Sequence, residues 1–253
     1  MTMNQQATID RRQGVAMWRQ IADIIRNQAA GELASADGKL PPEHILAEKF
    51  GCNRHTVRAA IKSLVDEGVL RAEQGRGTFL QPAKRLTYPI SRRTRFTEGL
   101  GSQTRSIERI LLGAEIEPAP DSVATPLNLT PQQPAWRLET LSKADGRAIS
   151  RATSWFDASR FTQMGALFAR HQSTTRALQA QGISDYHRQS TQVEAMLARN
   201  DDLDDLQLSP GAAVLVTRSV NVDPAGEPIE FAITRFAADR VTIDIVDSQA
   251  VPG

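Results

Sequence analysis

The forty-one residues from Leu40 to Leu80, LPPEHILAEKFGCNRHTVRAAIKSLVDEGVLRAEQGRGTFL, leave the chain few choices of fold. Pro41 and Pro42 stand where a helix can begin, since a first-turn residue has no intrahelical use for its N–H. The spacing predicts a short helix to Phe50, with Leu46, Ala47 and Phe50 inward and Gly51 ending it. Asn53 then caps a further helix whose core stripe is Val57, Ile61 and Leu64, closed by Gly68. VLRAEQGRGTFL follows as strand, tight turn, strand. Upstream, residues 15–30 place Val15, Trp18, Ala22, Ile25 and Ala29 on one helical stripe, with Gly31 as its stop. Helix, glycine-containing turn, helix and hairpin make the winged helix-turn-helix plan.

The helix after Asn53 presents an outward arc of His55, Thr56, Arg58, Ala59 and Lys62, with Arg54 at its N-terminal end. Donors and small residues suit a major groove about 12 Å wide, in which N-terminal side chains reach base edges and the flanks hold phosphates. Arg54 and Arg58 are the candidates for guanine; Thr56 and Lys62 suit phosphates. At the hairpin tip, Gly75 and Gly77 let backbone approach DNA while Arg76 enters a minor groove. An arginine-bearing exposed helix is by itself ordinary solvated surface. The ordered set of elements within some seventy residues is what points to DNA.

Charge agrees with this division. The 253 residues carry a formal net charge of +1, yet residues 1–109 hold 18 Lys/Arg against 11 Asp/Glu and residues 110–253 hold 12 against 18. A basic front and an acidic rear imply two units with different partners, the first a polyanion. There is no run of 18 apolar residues, so no membrane span is expected, and MTMNQQATID lacks the apolar stretch of a secretory signal. One cysteine, Cys52, and four histidines give no disulfide framework and no expected metal site. The expectation is a cytoplasmic protein without a cofactor.

The stretch 40–80 resembles the DNA-binding domain of GntR-type bacterial transcription regulators, and the likeness covers residues 13–81. It implies operator contact by Glu43 or His44, by Arg54, Thr56 and Arg58, and by Gln74 and Gly75 in the wing. His44 stands where many members have arginine, and Cys52-Asn53 replaces a usual Val-Ser while keeping a capping residue. Residues 82–96, with five Lys/Arg and two prolines between Pro82 and Thr97, read as a basic linker. Thr97 before Glu98 has the look of an N-cap, and free N–H groups at a helix start suit an anion.

From about residue 105 the pattern becomes α+β. Segments 136–143 and 148–156 flank Ala144-Asp145-Gly146-Arg147; segments 213–222 and 229–236 flank residues 223–227; and 240–246 places Val241, Ile243 and Ile245 at period two. Helices fit 162–170, 174–181 and 201–207, predicting an antiparallel sheet with helices on one side. Arg218 lies on a stripe with Val214, Val216, Val220 and Val222, and Arg235 with Ile229, Phe231 and Ile233. An arginine on a buried face needs an anion. The alternatives are a ligand or a salt bridge to Glu230, Asp239 or Asp244. Ser173, opening STTRALQAQG, is a second helix start, either for an anion or as a plain cap.

Residues 94–247 resemble the effector-binding (UTRA) domain of the HutC branch of the same family, which implies a chorismate-lyase-like fold for residues 97–247. TRFTEGL, ADGRAISRATSWF, STTRALQAQGISDYHRQST and DPAGEPIEFAITRFAADRV carry the likeness. In sugar-phosphate-sensing relatives the phosphate is held by helix starts that match Phe96-Thr97 and Ser173 and by an Arg-x-Arg pair, where this chain has Thr140 and Ser142. An acid of their sugar site matches Glu230, but another falls at Ala152, an aromatic at Thr175 and a tyrosine at Phe236. YPISRRTRFTE with ISDYHRQST is closer to regulators of phosphonate uptake and breakdown. The implied effector is a small phosphonate or phosphate ester, with Arg137, Arg188, Arg218 or Arg235 supplying the charge. A sugar phosphate or an amino-acid derivative, such as a histidine breakdown product, is the alternative.

The expected protein is thus a dimeric repressor reading an inverted repeat of double-stranded DNA under control of a small anion. A lyase-like enzyme is the remote rival. His171 and His187 are isolated, and no Gly-rich phosphate loop precedes a helix.

Overall fold

The computed structural model describes residues 16–28, 33–35, 37–81, 85–91 and 96–245, without the side chains of 27, 28 and 96–98. The chain forms two compact units, residues 1–84 and 85–253.

The first unit holds helices α1 (Met17–Gln28), α2 (Glu43–Lys49) and α3 (Arg54–Asp66), then an antiparallel hairpin of β1 (Leu70–Glu73) and β2 (Gly77–Leu80). Asn53 caps α3 as its sequence position requires, its Oδ1 accepting from the Thr56 N–H at 2.8 Å. Val57, Ala60, Ile61 and Leu64 of α3 are buried with Leu46 and Ala47 of α2 and with Ile21, Ala22 and Ile25 of α1. The α1 stripe therefore runs through Ile21 rather than Trp18, which is 38% exposed at the rim; Val15 and Ala29 lie outside the described residues. Gly51 and Gly68 adopt φ of 60° and 72°, the left-handed turn that ends a helix and that a Cβ disfavours. The wing is tied to the strand-like stretch before α2, where the Leu40 N–H donates to the Thr78 carbonyl at 2.8 Å.

The second unit is built on a six-stranded antiparallel sheet. In chain order it contains β3 (Leu86–Ile90), α4 (Phe96–Gly101), β4 (Ile107–Pro118), α5 (Asp121–Ala124), β5 (Pro134–Ala144) and β6 (Arg147–Asp157). There follow α6 (Met164–His171), α7 (Thr174–Gln179), β7 (His187–Leu197), α8 (Asn200–Asp205), β8 (Ala213–Val222), β9 (Pro228–Ala237) and β10 (Val241–Ile245). The sheet order is β4-β5-β6-β9-β8-β7. Asp145 and Gly146, at φ of 49° and 78°, make the tight β5–β6 turn that the Asp-Gly pair predicts.

Four features depart from expectation. Helices cover both faces of the sheet: α6 and α7 pack on Leu138 and Phe156, while α5 and α8 lie over the residues of opposite parity, including Trp155, Leu141, Val214 and Val216. The segment read as linker carries β3, which pairs in parallel with β10, so the second unit begins at Arg85. Tyr88 and Ile90 of this strand are buried in a cluster with Phe236 and Val241. Pro89 is tolerated because β3 has a strand neighbour on one side only. Finally, α4 starts at Phe96, so Thr97 is inside the helix rather than at its cap; its side chain, like that of Phe96, lies outside the description. Ile245, expected to face inward, is 72% exposed at the end of β10.

Candidate functional site

Helix α3 turns Arg54, His55, Arg58, Ala59 and Lys62 outward, all exposed, whereas Thr56 is half-buried and its hydroxyl bonds Asn53 Oδ1 at 2.9 Å. Glu43 and His44, in the first turn of α2, adjoin this surface through Glu43. The Arg58 guanidinium grips the Glu43 carboxylate with two bonds, Nη2 to Oε2 at 2.7 Å and Nε to Oε1 at 3.1 Å. Arg58, with further help from Arg54 and His55, holds the Glu43 carboxyl below the usual carboxylate range, so the pair stays ionic at neutral pH. Lys62 reaches Asp66 at 2.7 Å and Arg76 reaches Glu73 at 2.6 Å. The Lys62–Asp66 pair is exposed and costs little to break; Arg76 is exposed, while its partner Glu73 is half-buried.

In the wing, Gln74, Gly75, Arg76 and Gly77 form the exposed tip. Arg71 and Arg76 each lie 5.7 Å from the centre of the Phe79 ring, and Lys39 lies 5.9 Å from it. Gly77 has φ of 116°, and a Cβ there would come within 2.9 Å of Lys39 Cε. Lys39 and Arg71 thus join the basic surface although sequence reasoning passed over them; cationic flanks of an aromatic strand residue are the signal that was available. A lysine at a groove flank acts as a point charge. Lys62→Ala is expected to weaken specific and random duplexes alike and to reduce the slope of log affinity against log salt by about 1, as read by fluorescence anisotropy across a salt series.

The second unit contains a cavity of ≈ 540 Å³ between the sheet and the α6–α7 side. Its floor is a lawn of hydroxyls: Ser142, Ser150, Ser154, Thr217, Ser219 and Thr234 point into it from four strands. Ser173, Thr174, Thr175 and Arg176 supply wall at the start of α7, with His171 just before it, and Tyr88, Arg109, Tyr186, Arg188, Asn221 and Glu230 also line it. Ser173 is the cap of α7, its Oγ accepting from the Arg176 N–H at 3.3 Å. Thr175 Oγ1 and the Tyr186 hydroxyl lie 2.8 Å apart.

Arg109 of β4 lies directly across from Ser142, donates to Thr174 Oγ1 at 3.3 Å and stands 5.0 Å from the centre of the Phe168 ring. Burial works against its charge, with Glu230, Tyr186 and Tyr88 opposing that effect. Arg188 donates to Asn221 Oδ1 at 3.0 Å and to Thr191 Oγ1 at 3.3 Å. Burial raises the Tyr88 phenol above its usual range against the pull of Arg188, to which it is hydrogen-bonded, and of Arg109.

Of the effector residues expected from sequence, the cavity brings together Ser142, Ser173, Thr175, Arg188 and Glu230. Of the four arginines proposed as charge donors it takes Arg188 and excludes Arg137, Arg218 and Arg235. Arg137 points to the opposite face, bonded to Glu115 at 2.6 Å and Glu139 at 2.5 Å. Arg218 pairs with Glu194 at 2.6 Å, and Arg235 with the fully buried Asp202 at 3.0 Å, neither partner being among the acids expected. The reason is parity: the cavity takes Thr217, Ser219 and Asn221 from β8 and Glu230, Ala232 and Thr234 from β9, and an arginine one residue away points to the other face. Thr140 shares the cavity face, opposite Ala152, but is buried short of the wall. Phe236 does not line the cavity either; its ring lies 4.9 Å from that of Tyr88, which does. Arg109 was missed because β4 shows no clean sequence period, and Tyr88 because the basic residues around β3 made that segment read as a linker.

A winged helix with an exposed basic reading helix, joined in one chain to a sheet domain with a polar, arginine-bearing cavity, defines a ligand-responsive DNA-binding regulator. Residues 18–80 match the family of bacterial regulatory proteins, gntR family, and residues 102–242 match the UTRA domain. The chain is 48% identical over 237 residues to an uncharacterized HTH-type transcriptional regulator, RB1450, of Rhizobium meliloti, covering 94% of this chain and 97% of that one. It is 34% identical over 149 residues to the mannosyl-D-glycerate transport/metabolism system repressor MngR of Escherichia coli, covering 58% of this chain and 61% of that one. In fold it is similar to the crystal structure of PhnF from Mycobacterium smegmatis, with a TM-score of 0.60 at 21% identity over 89% of this chain and 98% of that one. The chain belongs to the GntR family of bacterial transcription regulators, in the branch with a UTRA domain. Its relatives are regulators rather than enzymes, and among the described residues no helix is long and apolar enough to cross a membrane.

Proposed function

We propose that the protein is a homodimeric repressor whose hold on an inverted-repeat operator is set by a small anion bound in the second unit. Helix α3 enters the major groove, Arg54 and Arg58 reading base edges and His55, Thr56 and Lys62 serving the flanks. Glu43 and His44 border the groove, and Gln74, Gly75, Arg76 and Gly77 approach the backbone or minor groove. Two-fold symmetry in the protein is mirrored in the half-sites.

The effector is a phosphonate or phosphate ester. The observation that carries this reading is the approach of Arg109 and Arg188 to a floor of serine and threonine hydroxyls, donors matched to a tetrahedral oxyanion. Ser142, Ser173 and Thr175 complete that donor set. Tyr88 gives the ligand a way to act at a distance. It lines the cavity on β3, the first strand after the DNA-binding unit ends. A ligand that binds one arrangement of the chain about 100-fold better than another shifts their balance by about 2.7 kcal/mol, enough for regulation.

The 34% identity to a mannosyl-D-glycerate system repressor favours a second reading, an anionic sugar derivative whose hydroxyls would use the same floor. Isothermal titration with methylphosphonate, glycerol 3-phosphate, glucosamine 6-phosphate and urocanate separates these, and binding of the carboxylate urocanate alone would discard the phosphonate and phosphate readings. Ser173→Asp keeps a capping oxygen on α7 while adding a negative charge at the cavity wall. It should weaken binding of the anion at least tenfold with the melting temperature held within about 2 °C; unchanged affinity moves the site elsewhere.

A further inference from the structure

Resting on the reading of this cavity as the effector site, we infer that the effector is a zwitterion, carrying an ammonium group as well as its anionic head. The observation is a row of three side chains across neighbouring strands. Arg188 of β7 lies opposite Asn221 of β8, and Asn221 lies opposite Glu230 of β9. All three line the cavity. The Asn221 amide is used at both ends, its Oδ1 accepting from Arg188 Nε at 3.0 Å and its Nδ2 donating to Glu230 Oε2 at 2.6 Å.

This arrangement keeps two opposite charges apart instead of pairing them. Glu230 is 7% exposed and takes its hydrogen bond from the neutral Asn221 amide, while Arg188 gives its own to Asn221 and Thr191. A buried carboxylate is costly; the Arg109 charge already acts on Glu230, and a ligand cation in direct contact would add to that compensation. A purely anionic ligand would meet Glu230 as a like charge. A ligand hydroxyl would add one more neutral bond to a group that already has one from Asn221. An ammonium offers a full opposite charge and up to three donors. The row spans two inter-strand spacings, roughly 10 Å at the backbone, and the side chains converge on it. A short ω-ammonium phosphonate, with its charges two carbons apart, suits a row whose cationic end is Arg188 and whose anionic end is Glu230.

The test uses the full-length protein and three probes that differ in one group: 2-aminoethylphosphonate, 2-hydroxyethylphosphonate and ethylphosphonate. Calorimetric titration at pH 7 should give at least tenfold tighter binding of the amine than of either other compound. In Glu230→Gln, which retains an oxygen for Asn221, that preference should fall below twofold while ethylphosphonate binds equally well or better. Arg188→Gln should lose affinity for all three, so the anionic end is tested apart from the cationic one; its melting curve checks folding. Equal affinity for the three probes in the unmodified protein, or a preference for the hydroxyl, overturns the zwitterion and leaves the anion site standing. Failure of all three to bind a protein that still retards operator DNA overturns the phosphonate reading itself.

Discussion

Arg58→Ala should lower affinity for an operator selected from a random duplex pool by roughly 5- to 150-fold and flatten base preference at one position of each half-site. The free protein already holds this guanidinium by two bonds to Glu43 on the exposed face of α3. Arg58 is therefore ordered before it meets DNA, and less side-chain freedom is lost on binding. A lysine cannot reproduce the planar two-point grip, so Arg58→Lys should restore affinity for random duplex but not the base preference. The paired measurement is anisotropy with the selected operator and with a scrambled duplex at one ionic strength. An unchanged ratio between them would remove α3 from the reading role.

The second large effect concerns stability. Asp202 is fully buried, accepts from the Arg199 N–H at 2.9 Å at the start of α8 and meets Arg235 Nε at 3.0 Å. Asp202→Ala leaves the Arg235 charge uncompensated beneath the sheet and uncaps α8, which should cost about 3–5 kcal/mol. Asp202 Oδ1 and Arg235 Nη2 are buried without hydrogen-bond partners, so the pair is imperfect. For that reason Asp202→Leu combined with Arg235→Met should recover most of the loss, since apolar packing can replace a buried ion pair of similar volume. Urea unfolding followed by fluorescence reads both variants, with separate transitions fitted for the two units. The double variant also decides the place of Arg235: phosphonate affinity near that of the unmodified protein is expected, because Arg235 faces away from the cavity. A loss of binding would return it to the site.

Much of the first unit was legible because its signals are local. Asn53 caps through a bond three residues away, Gly51 and Gly68 end helices by their own backbone angles, and the α3 stripe and its outward arc follow from the helical period. The hairpins of the second unit were legible for the same reason, an Asp-Gly pair flanked by alternating segments. The edge strands were not. β4 and β7 each bury little on either face, so no period of two marks Ile107–Pro118 or His187–Leu197, and Arg109 and Arg188 sit on those strands. β3 was hidden by the basic residues around it, although Tyr88 and Ile90 alternate inward.

The sequence by itself determined the reading helix, its caps, the wing and the presence of arginines and an acid in the rear domain. Only the tertiary structure decided which of those charges share a cavity. Helices cover both faces of the sheet, so an arginine on an apolar stripe can belong to either side, and pattern within one strand cannot tell them apart. Register between strands does: it lines up Arg188, Asn221 and Glu230 and turns Arg218 and Arg235 away, and register depends on pairings between residues far apart in the chain.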